Sequence, residues 1–282
     1  MRIIVVGPGR AGLSIATAAH ASGHDVVAIV GKDDDQAQTA AGAVGARALG
    51  PGDSLPPADL LVLATRDDDI APVAAALAER IAGIGSAVHL SGLASVSTLA
   101  PLVGAGMDVG SFHPLQTLPS PEAGAARLGG AWVAVTASPP LRGRLHDLAA
   151  SLGAHPFDLA DHAKALYHAG AASAANFPLL ALSMASDLFE AVGVPFEAAR
   201  PLVEAVIANA FEIGPRPSLT GPVARGDIGT VEAQLDAVAA QAPQWLGAFS
   251  ANVLYLARLA GRGDDFRTLL ERWRPDGTDG PS

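Results

Sequence analysis

The sequence predicts an α/β domain with a doubly wound, largely parallel sheet, followed by an all-α domain. Three observations carry this reading. Short apolar runs rich in Val, Ile and Leu alternate with alanine-rich stretches of helical length up to residue 159, the pattern of strands buried on both faces of a parallel sheet. A glycine-rich turn, Gly7-Pro8-Gly9-Arg10-Ala11-Gly12, joins the first such run to the first helix. From residue 160 the strand-like runs stop, and one helical stretch follows another to residue 274. The expected division is therefore 1–159 and 160–274, with a polar, disordered tail over 275–282.

The chain has 282 residues, half of them hydrophobic, with few aromatics and abundant alanine. A core built of small side chains and closely approaching helices follows. The formal net charge of -10, without a basic stretch, argues against nucleic acid and anionic membranes as partners. There is no cysteine, which excludes disulfides, thiolate metal sites and cysteine nucleophiles and suits the cytoplasm. No metal site is expected. The N-terminus reads as a strand and not as a basic-then-apolar signal, and no uninterrupted apolar run reaches the ~20 residues of a membrane span.

The first strand is expected at Arg2 to Val6 and the first helix from Arg10 to about Ser22. Strand, glycine turn, helix is the order of a Rossmann-type dinucleotide-binding unit. Gly7 allows the tight turn, and Gly9 lets the backbone approach a pyrophosphate. Gly12 lets the helix sit close to the strand. Pro8, Arg10 and Ala11 complete the turn, and the helix N-terminus offers unpaired N–H groups to phosphate. Asp25 to Val30 is the second strand. A carboxylate about 20 residues past the glycines binds the ribose 2′-hydroxyl of NAD; here Gly31-Lys32 stands at the strand end, followed by Asp33-Asp34-Asp35. Lys32 can pair with a 2′-phosphate, with Arg10 as a second positive contact, which favours NADP over NAD. The alternative is a solvated Lys32 with Asp33 on the ribose.

Asp35 to Val44 reads as a helix, Ala46 to Ala48 as an edge strand, and Asp59 to Ala64 as the fourth strand. Thr65 and Arg66 at its end are expected to cover the dinucleotide, while Asp68 and Asp69 cap the following helix. Ser86 to Leu90 is the fifth strand, ending in Ser91-Gly92, where the nicotinamide end is expected. A short strand from Met107 to Gly110 then delivers a loop, Ser111 to Thr117, with His113 and Gln116 among its polar side chains. Histidine titrates near neutrality and can bind or protonate a substrate oxygen. Strands at Ala131 to Thr136 and His155 to Phe157, with a helix between them, complete this domain.

Helical stretches are expected over Ala160 to Val192, Pro195 to Ile213, Ile228 to Ala240 and Pro243 to Ala260, with a loop from Gly214 to Gly226. Lys164, His168 and Asn176 fall near one helical face, as a site would require. Thr220, Arg225 and Asp227, held among glycines and a proline, suit an anionic substrate group; the alternative is a plain connection in which Asp227 caps the next helix.

Through Gly7 to Gly12, Ser91-Gly92, Ser111 to Thr117, Tyr167 to Asn176 and Leu219 to Asp227, the chain resembles two-domain NAD(P)-dependent reductases with a 6-phosphogluconate-dehydrogenase-like helical C-terminal domain. Ketopantoate reductases, prephenate dehydrogenases and pyrroline-carboxylate reductases are of this kind. The resemblance is nearer to a bacterial branch whose C-terminal domain has no assigned function. The wider group opens its long helix with Lys-x-x-x-Asn. Lys164 matches, but His168 stands at the asparagine position. What the resemblance implies is hydride transfer between NADP and a small carbonyl, hydroxy acid or imine, ketopantoate-like on analogy. His113, Lys164, His168 and Asn176 would serve catalysis; Gln116, Thr220, Arg225 and Asp227 would hold substrate. A homodimer through the helical domain is also implied. The altered Lys-x-x-x-His motif keeps open a non-catalytic dinucleotide sensor or scaffold.

Overall fold

The computed structural model describes residues 1–81 and 83–273, so the expected tail over 275–282 lies outside the described residues. Contacts divide the chain into two compact units, Met1–Ala175 and a second beginning at Asn176.

The first unit is a Rossmann-type sheet. Its strands are β1 (Arg2–Val6), β2 (Asp25–Val30), β3 (Arg47–Leu49), β4 (Leu60–Leu63), β5 (Ser86–His89), β6 (Asp108–Leu115), β7 (Trp132–Ala137) and β8 (His155–Asp158). They lie in the order β3-β2-β1-β4-β5-β6-β7-β8. Every pairing is parallel except β6 with β7. The chain leaves β1 to one side through β2 and β3, then returns to its other side at β4. That reversal opens a crevice beyond the carboxyl ends of β1 and β4, where ligands bind in such sheets.

Helices α1 (Arg10–Ala21), α2 (Asp34–Ala43), α3 (Asp67–Ala78), α4 (Ala100–Gly104), α5 (Pro121–Leu128), α6 (Pro139–Ser151) and α7 (Lys164–Ala175) complete this unit. The strand alternation sorts two cores onto the two faces. Ile3 and Val5 pack with Ile15, Phe112, Val133 and Leu145; Ile4 and Val6 pack with Leu61, Leu63, Ile70 and Leu99.

The second unit is all-α: α8 (Phe177–Ala191), α9 (Arg200–Ile213), α10 (Gly221–Arg225), α11 (Ile228–Gln241), α12 (Leu246–Leu259) and α13 (Arg267–Glu271). Its core gathers Val223, Val231, Leu235, Val253, Ala257 and Phe266.

Three expectations are corrected. The stretch from Ala160 to Val192 is not one helix: α7 stops at Ala175 and α8 starts at Phe177. Pro178 cannot donate to the carbonyl four residues back, and its ring crowds that carbonyl, so the helix breaks before it. Asn176 therefore heads the second unit and shares no helix face with Lys164 and His168. Ser111 to Leu115 is strand and not loop, because β6 runs on through the antiparallel ladder that pairs Leu115 with Trp132. Within the expected loop from Gly214 to Gly226, Gly221–Arg225 forms a short helix that Gly226 ends in the left-handed conformation at φ 73°.

Candidate active site

The glycine turn behaves as its spacing requires. Gly7 has φ +99°, and a Cβ there would lie 2.8 Å from the Ala64 carbonyl oxygen. A Cβ at Gly12 would meet the Gly7 oxygen at 2.2 Å and Ala64 Cβ at 2.8 Å, so Gly12 sets the approach of α1 to the sheet. Gly9 differs, since a Cβ there would meet nothing within 4 Å. The backbone at this point faces open space.

That space belongs to a cavity of about 390 Å³ lined by Gly7, Pro8 and Gly9, by Gly31, Lys32 and Gln36 beyond β2, and by Thr65, Arg66, Asp69, Leu77 and Arg80 on the β4 side. Arg10, Ala11 and Gly12 stand outside this lining and form the first turn of α1. That turn carries no acidic residue, and no side chain caps it, so its N–H groups are left for a ligand. By contrast, α2 is closed by Asp33, whose carboxylate accepts from the Gln36 N–H at 2.8 Å. Asp33 is thus engaged as a cap and stands outside the cavity lining, to which the end of β2 contributes Val30, Gly31 and Lys32. Lys32, Arg66 and Arg80 make the cavity cationic, with Asp69 the one acid among its lining residues. Thr65 Oγ1 is buried without a hydrogen-bond partner among the described residues. An anionic dinucleotide fits this set: free helix N–H groups, an open glycine backbone, an orphaned hydroxyl and three cations.

A second polar cluster lies at the carboxyl ends of β5 and β6. His113, on β6, shares a hydrogen bond of 2.8 Å between its Nδ1 and the Tyr167 hydroxyl on α7. A Cβ at Gly92 would lie 2.8 Å from His113 Nε2 and 2.9 Å from His168 Nδ1. Only glycine lets the turn after β5 sit between the two histidines, whose ring centroids are 6.1 Å apart. Burial, then the neighbouring His168 and Lys164, push the His113 imidazole down to about 4, against a smaller opposing pull from Asp67. Burial pushes the Tyr167 hydroxyl up to about 12. At neutral pH both groups are therefore uncharged, and the bond between them leaves one ring nitrogen, Nε2, facing Gly92.

Lys164 lies beneath this pair with 1% of its surface exposed. Its ammonium donates to Ser111 Oγ at 2.6 Å and to the Ser91 carbonyl at 3.4 Å. Burial lowers its pKa, while Asp161 and Asp67 oppose that shift. Ser91 donates to Asp67 at 2.8 Å and accepts from the N–H groups of Leu93 and Ala94.

The structure thus brings Ser91, Gly92, His113, Lys164 and His168 together. Gln116 lies just beyond the end of β6, its Oε1 accepting from the Thr117 N–H at 2.8 Å. Asn176, Thr220, Arg225 and Asp227 belong to the second unit. There Asp227 caps α11 by accepting from the Thr230 N–H and hydroxyl. Asp67 accepts from the Ser91 hydroxyl; Asp68 and Asp69, expected to cap α3, instead lie within its first turn, and the helix has no side-chain cap hydrogen bond.

Sequence reasoning missed Tyr167, His89, Asp161 and Arg80. Tyr167 was within reach, one turn beyond Lys164. So was His89, a polar residue in an otherwise apolar strand; it is fully buried, with Nδ1 accepting from the Ser91 N–H at 3.2 Å. Asp161 and Arg80 gave no local signal.

Residues 131–254 match the family model described as Domain of unknown function (DUF2520). No curated protein matches the sequence. Among solved structures, the chain is similar to a Bacteroides fragilis protein provisionally described as an NADP oxidoreductase, at 20% identity and TM-score 0.76 over 91% of this chain and 98% of that one. It is also similar to an imine reductase from Myxococcus stipitatus in complex with NADP+, at 16% identity and TM-score 0.67 over 97% and 99%. A third is the Streptomyces aurantiacus imine reductase, at 17% identity and TM-score 0.66 over 96% and 99%. These likenesses establish the fold: a Rossmann-type α/β domain followed by a helical C-terminal domain.

Proposed function

We propose that the protein is a cytoplasmic NADP-dependent oxidoreductase acting on a small carbonyl, hydroxy acid or imine, of the bacterial branch named by the resemblance above. The observation that carries the reading is the cationic cavity at the glycine turn, with Asp33 committed to capping and Lys32, Arg66 and Arg80 in the lining. A 2′-phosphate suits that set better than a bare ribose. The similar Myxococcus stipitatus enzyme, an imine reductase in complex with NADP+, supports imines ahead of ketopantoate-like substrates.

In this reading the α1 N–H groups and Thr65 hold the pyrophosphate, and Lys32 and Arg80 the 2′-phosphate. When bound, the cofactor supplies the hydride. His113 donates a hydrogen bond from Nε2 to the substrate heteroatom, with its tautomer fixed by Tyr167. The exposed His168, facing the same glycine, exchanges with water and delivers the proton. Phe157, 6.0 Å from the Tyr167 ring, and Trp132 extend an aromatic surface from the polar pair, which suits an apolar substituent on the substrate. Arg225 and Thr220 are candidates for an acidic substrate group, with Gln116 and Asn176 as further polar contacts.

A homodimer through the helical unit belongs to the same proposal. Helices α8 and α9 contain no buried residue, yet carry Phe177, Leu179, Leu202, Val206 and Phe211, the last 90% exposed. Apolar helices of this length need a covering partner. No helix among the described residues is long and apolar enough to cross a membrane.

The test is fluorescence titration with NADPH and NADH, followed by an oxidation assay against a panel of cyclic imines and 2-oxo acids. Tight NADPH binding with turnover of at least one panel member is the expected result. Failure of both cofactors to bind would refute the reading; binding without turnover across the panel would leave a sensor.

A further inference from the structure

The buried charge at the start of α7 is more than one more polar group near His113. An ammonium taken out of water is costly, by several kcal/mol unless hydrogen bonds and counter-charges offset it. A residue that must deliver a proton to a bound substrate also needs access to it. Lys164 is 1% exposed, and both hydrogen bonds resolved for it are spent on the protein: Ser111 Oγ on β6 and the Ser91 carbonyl beyond β5. Ser111 itself is 1% exposed and stands in register with His89. The turn that Lys164 grips is also held on both sides. Before Gly92, Ser91 donates to Asp67; after it, Asp161 accepts from Ser95 Oγ at 2.6 Å and from the Val96 N–H at 2.9 Å. This is the turn whose Gly92 packs against His113 and His168.

We propose that Lys164 is a positioning residue and not the proton donor: its ammonium ties the Ser91 carbonyl to the Ser111 hydroxyl, and with Asp67 and Asp161 it clamps the Ser91–Val96 turn against His113. The clamp has an electrostatic consequence. A fixed cation beside His113 disfavours a second positive charge there, so Lys164 adds to burial and His168 in keeping that imidazole neutral. The other groups acting on His113 are His168, which lowers its pKa, and Asp67, which raises it. Those acting on Lys164 are Asp161 and Asp67, and its charge in turn depresses His89. Burial pushes the Asp161 carboxyl up, but the bonds from Ser95 and Val96 and the charges of Lys164 and His89 outweigh it, so Asp161 remains ionised to hold the turn.

The role assigned to Lys164 rests on the reductase reading, whereas its test needs no turnover. Histidine resonances are followed by NMR against pH in the wild type and in Lys164→Met, with His113 identified by the loss of its signal in His113→Asn. Amide exchange over Ser91–Val96 is measured in the same proteins and in Asp161→Asn, which keeps the lysine. The expected result is a His113 midpoint that rises above about 4 in Lys164→Met but stays below 6.5, since burial and His168 still hold it down. Exchange over the turn should accelerate at least about tenfold in both variants, the signature of a local opening made easier. A His113 midpoint unmoved by Lys164→Met, or a turn equally protected in all three proteins, overturns the proposal. Turnover on any active substrate adds a third arm. Loss of a true proton donor costs about 10²–10⁴-fold at every pH; such a loss together with an unmoved His113 midpoint would restore Lys164 as the donor. If no cofactor binds at all, the reductase reading fails, while the two spectroscopic arms still decide the role of the clamp.

Discussion

Gly9 and Gly12 look equivalent in the sequence, but their alanine variants should behave in opposite ways. At Gly12 an added Cβ lies 2.2 Å from the Gly7 carbonyl oxygen, 2.8 Å from Ala64 Cβ and 3.1 Å from Val5 Cγ1. The first of these neighbours is backbone of the turn itself, so α1 must move away from the sheet. Overpacking of this kind costs about 1–3 kcal/mol or more, and the displaced helix takes the phosphate-facing N–H groups with it. At Gly9 the Cβ meets no protein atom within 4 Å, and the backbone, at φ -75° and ψ 179°, is one that alanine adopts freely. Gly9→Ala restricts only the unfolded chain, so the ligand-free protein should gain about 0.4–1 kcal/mol, or about 1–4 °C in Tm. NADPH, however, must come to the face that the new methyl occupies. A phosphate pushed off one charge-assisted N–H bond loses about 1.5–3 kcal/mol, or roughly ten- to a hundredfold in Kd. Thermal melts without cofactor, paired with NADPH titrations, separate the two variants. Gly12→Ala should lose both stability and binding, whereas Gly9→Ala should lose binding alone. A Gly9→Ala protein that binds NADPH as the wild type does would show that the pyrophosphate does not approach this turn, and the cofactor argument would collapse with it.

Lys32→Asp should weaken NADPH by about tenfold or more at low salt while changing NADH little, since the lost contact is charge-assisted and exposed; an unmoved preference between the two would refute the assignment. Tyr167→Phe frees His113 Nδ1 from its partner at 2.8 Å and should lower kcat about tenfold or more with NADPH affinity unchanged, as steady-state kinetics would show. His89 and His113 are both held down near 4 against 6.5 in the unfolded chain, so the unfolded state binds more protons between those values. Denaturant unfolding should therefore show full stability above pH 6.5 and a progressive loss as pH falls toward 4, a slope that His89→Gln reduces; the depressed Asp161 carboxyl, with an unfolded value of 3.8, adds its loss only at lower pH. Val206→Asp on the exposed face of α9 should halve the mass seen in sedimentation if that helix covers itself with a second copy, and an unchanged mass would remove α9 from the interface.

How far the residues alone disclose the molecule depends on the range of the interactions concerned. The crevice at the end of β1 is legible because its determinants are local: the glycine spacing, the apolar run before it and the absence of an acid at Gly31 all lie within one βαβ unit. The largely parallel, doubly wound class follows from the same alternation. Two readings failed, the first because a long-range partner overrode a local signal and the second because a local signal went unread. Ser111 to Leu115 contains a proline and polar residues and reads as loop, yet the ladder with β7 extends it as strand. The alanine-rich stretch beyond Ala160 reads as one helix, and the break at Asn176 is local after all, because Pro178 announces it. The pairings of Tyr167, Asp67 and Asp161 were illegible for a different reason. Their significance lies in contacts with His113, Ser91 and Ser95, 54, 24 and 66 positions away, and no periodicity encodes such pairings.

The same distinction bears on how the two polar ends of the sheet work together. The cavity beside β1 and β4 is built from backbone: glycines, a helix N-terminus and a strand end, with side chains contributing charge at the rim. The cluster beyond β5 and β6 is built from side chains held by other side chains, so it depends on a buried network being fully satisfied. Asp67 connects the two ends. It opens α3, the helix whose Asp69, Val73 and Leu77 line the cavity, and its carboxylate binds Ser91 at the edge of the His113 cluster. Arg66, in the cavity lining, directly precedes Asp67, so the residue that would meet a phosphate and the residue that holds Ser91 stand side by side at the start of α3.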